Sequence, residues 1–142
     1  MPVGSHWAVL GPNGAGKSTV LRLSGGWWYP STGTVDILGE RLGRVELQRL
    51  RRRIGWVDPR QRLGDHPVSE LVLSGLTASN GLLPRWEPDD TELARLEELL
   101  ALTGMDTKRD RRWSALSQGE RARTLIARAL IIQPDLLLLD EP

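Results

Sequence analysis

An α/β fold built around a phosphate-binding loop is what this sequence predicts, and three stretches predict it. Gly11-Pro12-Asn13-Gly14-Ala15-Gly16-Lys17-Ser18-Thr19 stands between an apolar run and a helical pattern. Near the other end, Leu136-Leu137-Leu138-Leu139 is continuously apolar and closes on Asp140 and Glu141. Between them, short β-type runs alternate with amphipathic helical segments, the order expected of an α/β domain. Strand, glycine-rich loop and helix in succession form the context that gives a P-loop its mechanism.

Trp7-Ala8-Val9-Leu10 reads as a short buried strand leading into the loop, and Val20-Leu21-Arg22-Leu23 as the helix leaving it, stopped by Gly25-Gly26. Close wrapping of a polyphosphate excludes side chains at Gly11, Gly14 and Gly16, and glycine also supplies backbone angles that aim successive N–H groups inward. The helix adds unpaired donors and its positive dipole end. Pro12, Asn13, Ala15 and Thr19 complete the nucleotide-binding stretch. Lys17 suits the outer phosphates as a compact charge, and Ser18 suits a magnesium ion bridging them. Of 19 basic residues only Lys17 and Lys108 are lysine. A lysine kept where a flexible point charge fits a phosphate is not compositional drift.

At 142 residues the chain is of single-domain size, with 39% hydrophobic and 26% charged residues. A formal net charge of +1 gives no electrostatic case for nucleic acid or an anionic membrane, and no nucleic-acid partner is expected. Absence of cysteine excludes disulfides and thiolate metal sites and suits a cytosolic setting. No apolar run approaches the roughly 20 residues that span a bilayer, and the first residues lack the pattern of a signal peptide.

Further along, Trp27-Trp28-Tyr29-Pro30-Ser31-Thr32-Gly33 is a turn-rich connection, and the tryptophan pair is expected to pack beneath the P-loop helix. Thr34-Val35-Asp36-Ile37-Leu38 alternates with period two and predicts a half-buried strand ending at Gly39. Residues 45–53 predict a short helix with Val45, Leu47 and Leu50 inward and the arginines on a solvated face. Ile54-Gly55-Trp56-Val57 predicts another strand, followed by a polar irregular segment, a helix-compatible stretch over 68–76 and a loop over 77–88. Asp89 and Glu92 stand in capping-box relation ahead of a helix whose Leu93, Leu96, Leu99 and Leu100 share a face. That helix ends near Gly104. A last helix runs over about 118–133, broken by Pro134.

The apolar run at 136–139 is continuous, as expected of a central parallel strand covered on both faces. Two carboxylates at its carboxyl end stand where ligands of open α/β sheets bind. With a P-loop in the same chain, this resembles a Walker B motif, with Asp140 holding magnesium through water and Glu141 polarising the attacking water. In Leu116-Ser117-Gln118-Gly119-Glu120, a capping box accounts for Ser117 and Glu120. It does not account for Gly119, which is costly in a first turn unless a phosphate must approach the backbone.

Together, GPNGAGKST, LSQGE and LLLLDEP resemble the ATP-binding cassette (ABC) ATPase family, with LSQGE similar to its signature motif. The resemblance covers essentially the whole chain. It implies a RecA-like P-loop NTPase core over 1–61 and 113–142, interrupted by a helical subdomain over 62–112. It also implies a head-to-tail dimer with a second cassette, in which Ser117, Gln118 and Gly119 meet ATP bound to the other subunit. A separate membrane permease would be the further partner, and the location would be cytoplasmic, on the inner face of the membrane. ATP and magnesium are the implied cofactors. Other readings are a ribosome-acting cassette protein and a non-hydrolysing regulatory binder; the spacing leaves no room for the coiled coils of DNA-repair members.

The chain departs from the family pattern in three places. Family cassettes begin with an antiparallel β-subdomain and continue beyond DEP to a switch histidine, so the expectation is a cassette truncated at both ends, inactive and poorly stable alone. His6 and His66 precede the Walker B strand and read as ordinary surface or packing histidines. The glutamine that follows a strand like 54–57 is displaced: Asp58-Pro59-Arg60-Gln61 offers Gln61 for its catalytic role, with Asp58 as the alternative.

Overall fold

The computed structural model describes residues 4–140. Its elements run α1 (Lys17–Ser24), the strands β1 (Asp36–Ile37) and β2 (Glu40–Arg41), α2 (Leu47–Arg51), β3 (Ile54–Val57), α3 (Val68–Leu73), α4 (Asp90–Thr103), α5 (Gln118–Leu130) and β4 (Leu136–Leu139). Short 3-10 turns lie at Asp106–Lys108 and Trp113–Ala115.

The strand that carries the first acidic residue of the site is fixed by parallel pairing. β3 and β4 run side by side with Ile54 opposite Leu136 and Val57 opposite Leu139. Parallel strands need a long crossover, and α3, α4 and α5 provide it. The return into β4 is tight: Gln133 adopts φ 49°, and Asp135 N–H donates to Arg53 O at 2.9 Å. One face of the pair, with Ile54 and Leu138, closes over Leu50, Ile37 and Leu42 from α2 and the hairpin. On the other face, Val57 packs against Leu125 and Ala129 of α5. Helix and strand touch because Gly55 has no side chain. A Cβ there would stand 2.8 Å from Ala129 O.

Helices α3, α4 and α5 form a layer of their own. Asp89 caps α4 with a complete capping box to Glu92, and Gly104 ends it in the left-handed conformation. Leu96, Leu99 and Leu100 are buried against Val68 and Val72 of α3 and Ala127 of α5. Each such leucine contributes about 1.5–3 kcal/mol through removal from water. Arg128 ties this layer down, its Nη2 donating to Ser79 O at 2.8 Å and its Nε to Ser74 Oγ at 3.2 Å. Burial pushes its guanidinium down to about 10.

Several expectations need correction. Trp7-Ala8-Val9-Leu10 forms no strand and is exposed, Leu10 at 90%. Extended residues need ladder partners, and among the described residues no backbone hydrogen bond reaches this segment. β4 is parallel but is not covered on both faces: Leu137 and Leu139 stay 37% and 44% exposed, since α5 lies over β3 instead. The strand expected over 34–38 is shorter and belongs to a hairpin. Leu38 and Gly39 take φ 51° and 79°, the primed two-residue turn that matches strand twist. Leucine is an uncommon occupant of that position, so the hairpin was hidden. Leu93 is 40% exposed and does not share the buried face of α4. Arg51 and Arg53 are engaged rather than solvated: Arg51 lies 4.3 Å over the Trp27 ring and donates to Gly26 O, and Arg53 pairs with Glu40 and Asp135. Trp27 and Trp28 each stay about half exposed.

Candidate nucleotide site

Backbone conformation, more than lack of space, requires glycine in the loop. Gly14 and Gly16 lie at φ 84° and 88°, where a Cβ crowds the following carbonyl. Gly11 is close-packed instead; a Cβ there would approach that of Ala15 to 3.2 Å. Pro12, Asn13 and Ala15 form an exposed bend, closed by Ala15 N–H donating to Pro12 O at 3.2 Å. Gly16 precedes α1 and offers no side-chain cap. The N-cap residue therefore supplies no side-chain acceptor to the first N–H groups of the helix, as at helix starts that bind anions. Lys17 folds back over the bend, Nζ donating to Gly11 O at 2.9 Å and Pro12 O at 3.0 Å. Thr19 is exposed.

One hydrogen bond joins the two ends of the site. Ser18 Oγ donates to Asp140 Oδ1 at 2.9 Å, across 122 residues of sequence. Asp140 follows β4 and its N–H donates to Val57 O at 2.9 Å, so parallel pairing with β3 sets where the carboxylate stands. It is 2% exposed. Its second oxygen accepts from Arg60 Nη2. Arg60 Nε in turn donates to Asp58 Oδ1 at 2.8 Å, and the Arg60 backbone N–H donates to the same atom at 2.9 Å. Hydrogen bonding to the Asp58 carboxylate raises the Arg60 guanidinium above its ordinary value, and Asp140 adds to this. The residues present fit a magnesium ion. A hydroxyl and a carboxylate oxygen in contact are hard donors, and few protein ligands are needed where phosphates and water supply the rest.

The start of α5 forms the second part. Ser117 caps the helix, its side chain accepting from Glu120 N–H while Glu120 Oε2 accepts from Ser117 N–H at 2.9 Å. Lys108 Nζ donates to the other Glu120 oxygen. That hydrogen bond first, and the Ser117 N–H second, hold the Glu120 carboxyl down at about 2. Ser117, Gln118 and Gly119 are exposed, and a Cβ on Gly119 would meet nothing within 4 Å. The protein's own packing does not explain that glycine.

The structure brings Lys17 and the loop, Ser18 and Asp140 together. Gln61 stands apart: its Oε1 is buried without a hydrogen-bond partner, and the side chain lines a cleft of about 370 Å³ with Trp27, Trp56 and Arg128. Among the described residues no hydrogen bond joins it to Ser18 or Asp140. Glu141 lies outside the described residues. Sequence reasoning missed Arg60 and Lys108. The signal for Lys108 was its rarity as one of two lysines; for Arg60 it was a cation placed between Asp58 and Gln61.

Both the sequence and the fold match known proteins. The model of the ABC transporter family matches residues 1–142. The phosphonates import ATP-binding protein PhnC of Alcaligenes faecalis is 42% identical over 98% of this chain and 52% of its own length. The structure of cbiO1 from Clostridium perfringens, part of the ABC transporter complex cbiONQ, superposes with TM-score 0.75 at 31% identity, covering 94% of this chain and 52% of that one. A dimeric ATP-binding cassette in a post-hydrolysis state, bound to ADP and phosphate, superposes with TM-score 0.73 at 26% identity, covering 92% and 60%. The chain spans about half the length of the curated relatives it matches. The chain belongs to the ABC transporter family, and what it carries of that family is part of the nucleotide-binding domain.

Proposed function

We propose that this chain belongs to the ATPase subunit of an ABC transporter, coupling hydrolysis of magnesium-ATP in a head-to-tail dimer to transport through a separate membrane permease. The observation that carries this reading is the contact of Ser18 Oγ with Asp140 Oδ1 beside a glycine loop that Lys17 crosses. In it, Lys17 exchanges two loop carbonyls for the outer phosphates. Ser18 and Asp140 hold the magnesium ion, which when bound neutralises charge between those phosphates. Glu141, next in the chain after Asp140, accepts the proton of the attacking water.

The exposed start of α5 supports the dimer. Ser117, Gln118 and Gly119 present a capped helix terminus with clear space over the glycine, suited to phosphate bound on a second cassette. Residues 62–112 serve as the helical subdomain and the remainder as the RecA-like core. No helix among the described residues is long and apolar enough to cross a membrane. In this reading a separate permease crosses the membrane, with the subunit on its cytoplasmic side. Gln61 performs the coupling role. Its buried, unpartnered Oε1 is an acceptor held at a cost of about 1–3 kcal/mol, whereas the Asp58 carboxylate is already taken by Arg60.

Lys17→Ala in the full-length protein tests the site. ATP affinity should fall below detection in an equilibrium titration, because no other lysine lies near the loop in sequence. Unchanged affinity would remove the P-loop from the account.

A further inference from the structure

Asp140 is buried, and both of its oxygens are engaged by the protein: Oδ1 by the Ser18 hydroxyl, Oδ2 by the Arg60 guanidinium. A cation bound between Ser18 and Asp140 takes the place of the Ser18 proton on Oδ1, while the guanidinium sits on Oδ2 of the same carboxylate. It would also stand beside a guanidinium of like charge. Arg60 is unlike the other residues of the site in two respects. Its side chain is 54% exposed, while the carboxylates it bridges are 11% and 2% exposed. It is also fixed at its near end, because Asp58 accepts from both its backbone N–H and its Nε. Leaving Asp140 therefore breaks its one contact there and keeps those with Asp58. The motion needs only the tip of a side chain that faces solvent.

We infer that Arg60 is a tethered counter-ion for Asp140, a positioning residue that holds the buried carboxylate against Ser18 and competes with magnesium for it. The inference rests on the proposed use of Ser18 and Asp140 as the magnesium site. In this arrangement the arginine neutralises two buried acids that would otherwise repel each other across the site. It also sets a threshold: magnesium occupies Asp140 only when the phosphates of a bound nucleotide add enough ligands to displace the guanidinium onto Asp58.

The test is a magnesium titration of the full-length protein at a fixed concentration of a fluorescent, non-hydrolysable ATP analogue, read as analogue binding. Arg60→Gln should lower the half-saturating magnesium concentration about tenfold, the order expected on removing one nearby like charge from a partly solvated site. Arg60→Lys, which keeps the charge but loses the planar fork, should fall between the two. A merely structural arginine would not move this midpoint in that order. An unchanged or higher midpoint in Arg60→Gln, with magnesium still promoting binding, overturns the inference alone. Analogue binding that ignores magnesium in the unsubstituted protein overturns the metal site itself, and the inference with it.

Discussion

Individual side chains carry most of the chemistry, and two of them make separable predictions. Glu120 sits under Lys108 and the Ser117 N–H, which hold its carboxyl at about 2 against an ordinary value of about 4.5. A carboxyl depressed in the folded state contributes stability that is complete above about pH 4.5 and is lost as pH falls toward 2. Glu120→Gln should therefore lower the urea midpoint at pH 7 and converge on the unsubstituted protein near pH 2. Parallel acid limbs would show that Lys108 does not bind Glu120. At Gln61 the expectation concerns coupling. Gln61→Ala should reduce permease-stimulated turnover and leave ATP affinity nearly unchanged, because the loop and Lys17 persist. Normal stimulated turnover in that variant, with loss in Asp58→Ala, would give the role to Asp58.

At the scale of elements, position depends on close approach as much as on hydrophobic pattern. α5 crosses β3 where Gly55 leaves room, and pairing with β3 sets the register in which β4 delivers Asp140. Gly55→Ala should cost about 1–3 kcal/mol by overpacking, since the obstructing atom is the Ala129 backbone carbonyl. Thermal unfolding measures it, and an unchanged midpoint would mean that α5 does not lie on β3. The same distinction explains what was legible in the sequence. α4 and α5 were readable with their starts, because Asp89–Glu92 and Ser117–Glu120 are local capping boxes. The four-residue strands β3 and β4 were readable from their apolar runs. The hairpin was not, because its turn places Leu38 at positive φ. Trp7-Ala8-Val9-Leu10 misled because an apolar run states a tendency to pair and says nothing about whether a partner strand is present. In the site, the loop, Ser18 and Asp140 were named by motif. Arg60 was not, because its role depends on Asp140, which β3 and β4 bring to it from 80 residues away.

For the molecule as a whole, the central claim is that the loop, Asp140 and Glu141 hydrolyse ATP, and that the exposed start of α5 serves a second cassette. Binding, chemistry and assembly are separated by one substitution. Glu141→Gln keeps Lys17, Ser18 and Asp140 and removes only the proton acceptor. The measurement is phosphate release from the full-length variant with ATP and magnesium, read beside its molar mass in solution. The account predicts ATP bound with ordinary affinity, phosphate release lost, and a dimer that persists while ATP is present. Phosphate release at the unsubstituted rate, or a variant that binds ATP and stays monomeric, would contradict it.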